Sequence, residues 1–177
     1  MPDFINQIDY RYIITFVILF AVTLLWKLLN KKEKLEKCDF LLIFVFAFYG
    51  TAVGHYTLLD RFFGGQQRAE LDLFWSYRLA YVQRNWVLWE EICNNILLFI
   101  PFGVLVPWIF SRTCCWWKVI LSGCVVSCGI ELTQLFGCLG LFEYDDIFNN
   151  TMGTILGYGI FCLMKGIFRK RRKWKQD

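Results

Sequence analysis

Five long apolar stretches constrain this chain more than any other feature of its sequence. They cover, approximately, residues 12–29, 40–59, 92–110, 119–136 and 146–167. A helix needs about 20 apolar residues to cross the hydrocarbon core of a bilayer. The composition agrees, because 57% of the residues are hydrophobic and only 19% are charged, against about a quarter charged in soluble domains. The sequence therefore predicts an all-α fold, a polytopic membrane helix bundle of about five transmembrane helices.

Lysine and arginine are distributed unevenly between the two sides of these spans. Fourteen of the 19 lie in the first loop, the third loop and the C-terminal segment, which includes a basic tail at 168–177. Cytoplasmic loops of membrane proteins carry an excess of Lys and Arg. We therefore predict one membrane domain, 1–177, in the cell membrane, with the N-terminus outside and the C-terminus cytoplasmic.

With this orientation, the polar residues that interrupt the spans collect near their outer ends. They are His55, Asn94, Asn95, Glu131, Gln134, Asp145, Asp146, Asn149 and Asn150. An ionisable group inside a membrane is costly to bury, and it indicates a functional site by default. The pattern predicts an outward-facing polar site.

Each residue type suggests a role in that site. The carboxylates Glu131, Asp145 and Asp146 are the candidate catalytic residues, with Glu131 as a general base, since neighbouring carboxylates raise one another's pKa. The candidate ligand-binding residues are His55, Arg78, Asn94, Asn95, Gln134, Asn149 and Asn150. A purely structural interpretation stays open, in which Asp145 caps a helix and the asparagines bond between helices.

Some further functions are expected to be absent. His55 is the single histidine and no metal-ligand spacing recurs, so we predict no metal; without a glycine-rich phosphate loop we predict no cofactor. Nucleic-acid binding is not expected, because the basic residues flank membrane spans. Gly153 and Gly157 form a small-xxx-small pair that favours close helix packing, which leaves homo-oligomerisation open.

The second loop, between the second and third spans, interleaves aromatic residues with arginines that include Arg78. Such a segment can lie along the membrane interface as an amphipathic helix. Its arginines are candidates to contact the phosphates of lipid headgroups or of lipid-linked precursors.

Three motifs together resemble the VanZ-like membrane proteins, a family named for a teicoplanin-resistance protein. They are NNILLFIPFG at 94–103, GIELTQ at 129–134 and FEYDDIFNNTMGTILGY at 142–158. The resemblance implies a multi-span protein of the bacterial envelope. Some members of the family are linked to reduced susceptibility to teicoplanin-type glycopeptides, and the resemblance implies that this protein could share that effect.

Three functions remain as alternatives, and whether the protein is an enzyme stays open. The first is binding of membrane lipids or lipid-linked cell-wall components at the outward polar site. The second is an enzyme that acts on a lipid headgroup or lipid-linked sugar through Glu131 and Asp145 or Asp146. The third is a proton-coupled transporter or flippase that uses the same carboxylates.

Overall fold

The computed structural model describes residues 10–29, 37–59, 67–110 and 115–173. Its helices are α1 (Tyr10–Leu29), α2 (Lys37–Gly54), α3 (Trp75–Gln83), α4 (Trp86–Ile109), α5 (Trp116–Phe136) and α6 (Tyr144–Lys173). A π-helical segment, His55–Leu59, continues α2, and two short strands are β1 (Arg68–Glu70) and β2 (Leu141–Glu143). The predicted all-α class is confirmed.

Five helices of the described residues are long and apolar enough to cross a membrane. They are Tyr10–Leu29, Cys38–Leu58, Trp86–Ile109, Trp116–Phe136 and Tyr144–Ile167. This number agrees with the prediction, and the protein is a multi-pass membrane protein. The third spanning helix, α4, begins at Trp86 rather than near residue 92, because Asn85 caps it by accepting the Val87 N–H at 3.0 Å.

The described residues divide into two compact units, with the boundary after residue 61. In the first unit, α1 packs along α2, and the buried Lys27 ammonium forms an ion pair with Asp39. The rings of Tyr12 and His55 stack with centroids 3.2 Å apart. The hairpin of α1 and α2 is therefore held by polar contacts as well as by apolar packing.

The second unit is built on very close packing between α4 and α6. A Cβ atom at Gly153 or Gly157 would collide with the carbonyl oxygens of Ile96 and Ile100, respectively. On α4, a Cβ atom at Gly103 would collide with the carbonyl oxygen of Thr154. Glycines spaced four apart allow two helix backbones to touch, as in small-xxx-small interfaces. The pair Gly153 and Gly157 thus lies against α4 within the same chain.

A two-stranded parallel ladder joins the second loop to the segment before α6. Arg68 pairs with Leu141 and Glu70 pairs with Glu143. The sequence did not predict these strands, because three residues are too few to show an alternating pattern. The ladder places the second loop at the end of the unit where α5 ends and α6 begins.

Candidate functional site

Carboxylate side chains converge where α5 ends, β2 lies and α6 begins. The acidic cluster consists of Glu91, Glu131, Glu143, Asp145 and Asp146. Within it Glu131 and Asp145 are almost completely buried, with 1% and 0% of their surface exposed. Burial of a carboxylate is unfavourable unless hydrogen bonds or partner charges compensate it. The contacts of each acidic residue therefore decide what the cluster can do.

Glu131 lies on the last turns of α5 and points toward β2. Its Oε2 atom accepts the backbone N–H of Glu143 at 3.1 Å. Gln134 lies one turn further along the same buried face of α5 and is 2% exposed. Side chains three residues apart share a helix face. These two residues bring a carboxylate and an amide to the interior of the unit.

Glu143, the last residue of β2, has an unusual protonation state. Its pKa is raised from 4.5 to about 8, first by burial and then by the carboxylates of Asp146, Glu131, Glu91 and Asp145, in that order. Each of these four carboxylates disfavours a negative charge on Glu143. At neutral pH Glu143 therefore keeps its proton and can donate a hydrogen bond.

Asp146 and Asn150 occupy the face of α6 that meets α4 and α5. The Asp146 Oδ1 atom accepts a hydrogen bond from Asn95 of α4 at 2.6 Å, and Asn150 donates to the Ser127 hydroxyl of α5 at 2.8 Å. Asn150 is 4% exposed, yet its Oδ1 atom has no hydrogen-bond partner within the described part of the chain. A buried polar atom without a partner is unusual in a folded protein and marks a place for water or a ligand.

Asp145 contacts α3 instead. Its carboxylate accepts hydrogen bonds from the backbone N–H of Phe74 (2.5 Å), the backbone N–H of Ser76 (2.9 Å) and the Ser76 hydroxyl (2.5 Å). Phe74, the residue that precedes α3, provides no capping side chain. A carboxylate that accepts the first N–H groups of a helix does the work of an N-cap. Asp145 thus caps a helix that precedes it by some 70 residues in sequence.

Asn149, one turn after Asp145, contacts the same helix. Its Oδ1 atom accepts the Tyr77 hydroxyl at 2.5 Å, while its buried Nδ2 atom has no partner among the residues described. The pKa of Tyr77 is raised by burial, then by Asp145 and then by Cys93. The phenol therefore stays protonated and remains a donor to Asn149.

Two predicted site residues of the second unit do not contact the acidic cluster, and a third belongs to the first unit. Arg78 is exposed on α3 and pairs with Asp72, also exposed, at 3.2 Å. Asn94 is exposed on α4, whereas its neighbour Asn95 reaches Asp146. His55 belongs to the first compact unit, where it is 1% exposed.

Sequence analysis gave no role to several residues that build the site. Glu143 donates its backbone N–H to Glu131, Ser127 binds Asn150, and Ser76 and Tyr77 bind the first turns of α6. Ser127 lies four residues before Glu131 on one helix face, a spacing that the sequence does display. The contacts of Ser76 and Tyr77 join residues about 70 positions apart, so no local pattern could reveal them.

Within the described residues, no group of three or more His, Cys, Asp or Glu side chains is arranged to hold a metal ion. The contacts of the acidic cluster show that it offers hydrogen-bond acceptors, and the raised pKa of Glu143 adds a proton donor. Carboxylates and amides of this kind suit hydroxyl, amide and ammonium groups of a ligand.

These features define a multi-pass membrane protein with a buried acidic cluster at one end of its second unit. The chain matches the VanZ/LLP1 family over residues 12–165, which is most of its length. The protein therefore belongs to the VanZ/LLP1 family. No curated protein and no solved structure matches the chain.

Proposed function

We propose that this protein binds a membrane lipid or a lipid-linked cell-wall component through the acidic cluster, at the outer face of the bacterial cell membrane. The observation that supports this most directly is the convergence of buried acidic and amide groups, which include Asn150, whose Oδ1 atom has no hydrogen-bond partner among the described residues. Such polarity inside a membrane-spanning unit is costly, and it is expected where a polar ligand or a proton must be handled.

The chemistry of the cluster favours a headgroup that donates hydrogen bonds. Glu131 and Asp146 are acceptors when ionised, and each accepts at least one hydrogen bond from the protein. Sugar hydroxyls, peptide amides and ammonium groups supply the matching donors. Membrane lipids and lipid-linked wall precursors carry these groups on an apolar anchor that can reach the site from the bilayer.

The loop charges support a position on the outer side of the membrane. The cluster is at the end of the unit where α4 and α6 begin and α5 ends. The basic residues lie mainly near or beyond the opposite ends of these helices, and by the positive-inside rule this distribution favours an outer position for the cluster. A lipid-binding site there would change how a membrane-anchored glycopeptide reaches its target, in line with the resistance linked to some relatives.

A susceptibility assay tests the cellular consequence. A teicoplanin-sensitive Gram-positive host would express the wild type, Glu131→Gln, Asp146→Asn or the control Asp72→Asn, each at equal membrane abundance. Asp72 is an exposed carboxylate of the second loop, with a side chain 75% exposed. We expect protection by the wild type and Asp72→Asn, and none by the two cluster variants. Equal protection by all four would exclude a role for the cluster in resistance.

A lipid-retention assay tests the binding itself. The same four proteins would be purified from host membranes in mild detergent, and the co-purified lipids would be extracted and identified by mass spectrometry. The wild type and Asp72→Asn should retain one lipid class that Glu131→Gln and Asp146→Asn lose. Identical lipid profiles for all four proteins would contradict the proposal, whatever the susceptibility assay shows.

A second candidate function, an enzyme, is favoured by the protonation of Glu143. A protonated carboxyl and the carboxylate of Glu131 in one cluster form the kind of pair that serves as acid and base in catalysis. Incubation of the purified wild type with extracted host lipids distinguishes the two functions. Product that exceeds the amount of protein many times over, and that Glu131→Gln does not form, would establish turnover; retention of unchanged lipid would favour binding alone.

A further inference from the structure

A cavity whose lining includes no residue of the acidic cluster lies at the turn between α3 and α4. Its volume is about 680 Å³, within the range of small-molecule sites. It is lined by Ala80, Tyr81, Val82, Arg84, Trp86 and Trp89. The lining thus combines one cationic side chain with three large aromatic side chains.

Arg84 adopts a backbone conformation that its side chain does not favour. It follows α3 in the left-handed region, with φ 49° and ψ 40°, where Gly or Asn is usual. The turn is closed by the Asn85 N–H, which donates to the Ala80 carbonyl at 3.0 Å. A side chain other than Gly in this region costs about 1–2 kcal/mol. Phe74 and Cys138 share this conformation. Strained residues of this kind are enriched at functional sites, so the backbone supports a functional hypothesis for Arg84 only together with the cavity beside it.

The charge of Arg84 is not neutralised by a carboxylate of the described residues. Arg78 of α3 forms an ion pair with Asp72, whereas no described acidic side chain lies within ion-pair distance of Arg84, which follows α3. The acidic residues Glu90 and Glu91 follow on α4 but do not line the cavity. The start of the 24-residue helix α4 adds a positive potential from its dipole. The cavity is therefore suited to an anion.

The surroundings of Arg84 fit a membrane interface. Tyr81, Val82 and Trp86 are 79%, 77% and 80% exposed, which is unusual for large apolar side chains. Trp86 is also the first residue of a helix long enough to span the membrane. Tryptophan and tyrosine concentrate at the level of lipid headgroups. An anion that meets Arg84 at this level is the phosphate of a lipid.

We propose that this cavity is a binding site for the phosphate headgroup of an anionic membrane phospholipid. The Arg84 guanidinium donates two parallel N–H···O hydrogen bonds to the phosphate oxygens, the bidentate geometry typical of arginine and phosphate. Tyr81, Trp86 and Trp89 contact the glycerol backbone and the adjoining part of the acyl chains. The site does not use the acidic cluster, and it holds whether or not the cluster binds a ligand.

Lipid binding by three purified proteins tests the proposal. The wild type, Arg84→Gly and the control Lys118→Gln would be compared in detergent, with bound lipid counted by native mass spectrometry. Lys118 is an exposed cation near the start of α5, at the opposite end of the unit from the cavity. Lys118→Gln removes one positive charge, as Arg84→Gly does, and therefore controls for the change in net charge. The ligands would be short-chain phosphatidylglycerol and phosphatidylcholine, each offered with and without inorganic phosphate.

Loss of a charge-assisted hydrogen bond should weaken phosphatidylglycerol binding by Arg84→Gly about tenfold, while Lys118→Gln binds like the wild type. The thermal midpoint of Arg84→Gly should equal or exceed that of the wild type, since glycine relieves the backbone strain. Equal binding by Arg84→Gly and wild type would overturn the proposal, as would equal affinity for the two lipids. Displacement of the lipid by inorganic phosphate at equal concentration would show a site for free phosphate instead.

Discussion

The start of α6 presents two faces that carry the same residue types and make different contacts. Asp145 and Asn149 face α3, whereas Asp146 and Asn150 face α4 and α5. Residues four apart share a helix face, and adjacent residues do not. Asp145 is occupied by three donors of α3. Asp146 belongs to the acidic cluster, in which Glu143 has a raised pKa. On the same face of α6, the Oδ1 atom of Asn150 has no hydrogen-bond partner within the described part of the chain.

The two neighbouring carboxylates therefore have different partners. Asp145 and Asn149 hold α3, whereas on the α4–α5 face the Oδ1 atom of Asn150 has no hydrogen-bond partner among the described residues. We therefore expect substitutions on the first face to lower stability and substitutions on the second to lower ligand binding at nearly constant stability. Four predictions test or sharpen this contrast, in order of decreasing effect.

The largest effect is expected from Gly157→Ala, which disturbs the packing beneath both faces. The new Cβ atom would collide with the carbonyl oxygen of Ile100. Overpacking of this kind costs about 3 kcal/mol, because a backbone atom cannot move aside as a side chain does. Thermal unfolding in detergent micelles measures the loss. The matched control is Gly159→Ala on the same helix, where no atom lies within 4 Å of the added Cβ; an equal loss there would contradict the packing explanation.

Asp145→Ala should have the next largest effect, confined to the α3 face. It leaves the N–H groups of Phe74 and Ser76 without their acceptor, and loss of hydrogen bonds to a charged group costs about 2 kcal/mol. Hydrogen exchange should show faster exchange in α3 while α5 is unchanged. Asp72→Asn, on the exposed surface before α3, is the control. Unchanged protection of α3 in Asp145→Ala would mean that the cap does not hold this helix.

Glu143 gives a pH-dependent effect of intermediate size. Because its folded pKa is about 8 and its ordinary value is 4.5, the folded protein binds the proton more tightly than the unfolded chain does. Its contribution to stability is therefore complete below pH 4.5 and is lost as the pH rises through about 8. The melting temperature of the wild type should fall from pH 6 to pH 9 more steeply than that of Glu143→Gln. Parallel pH profiles would show that Glu143 titrates normally.

Tyr77→Phe should have the smallest effect. It removes one hydrogen bond to Asn149 and keeps the ring that packs edge-on against Phe74 and Trp89. The expected loss of stability is about 1 kcal/mol. Urea unfolding in micelles, with Tyr81→Phe as the exposed control, measures it. A loss as large as that of Asp145→Ala would mean that the α3 face depends on Asn149 more than on the cap.

The membrane spans were predictable because the bilayer imposes a simple condition on the sequence. Each spanning segment must be apolar for about 20 residues and helical throughout, so that its backbone groups are satisfied internally. The prediction failed mainly at boundaries, as at Trp86, where an Asn85 cap extends α4 beyond its apolar part. Gly153 and Gly157 were also visible as a packing pair, although the sequence could not say that α4 was the partner.

The sequence could show that polar residues collect near the ends of the spans, but it could not show which of them contact each other. In the structure Asn95 of α4 donates to Asp146 of α6, and Asn150 of α6 donates to Ser127 of α5. Glu131 of α5 accepts the backbone N–H of Glu143 in β2. Arg78 and Arg84 both lie among aromatic residues of the second loop, so their sequence surroundings do not distinguish them. In the structure Arg78 pairs with Asp72, whereas Arg84 has a left-handed backbone conformation and lines the cavity.

The sequence by itself determined that this is a multi-pass helical membrane protein with acidic residues gathered at one level. Hydropathy and charge settle both, because the bilayer acts on each segment independently of the others. The tertiary structure alone decided that Asp145 caps α3, that Glu143 retains a proton and that Arg84 lines a cavity without an acidic partner among the described residues. These properties arise from contacts between segments far apart in the chain, and no local pattern of residues encodes them.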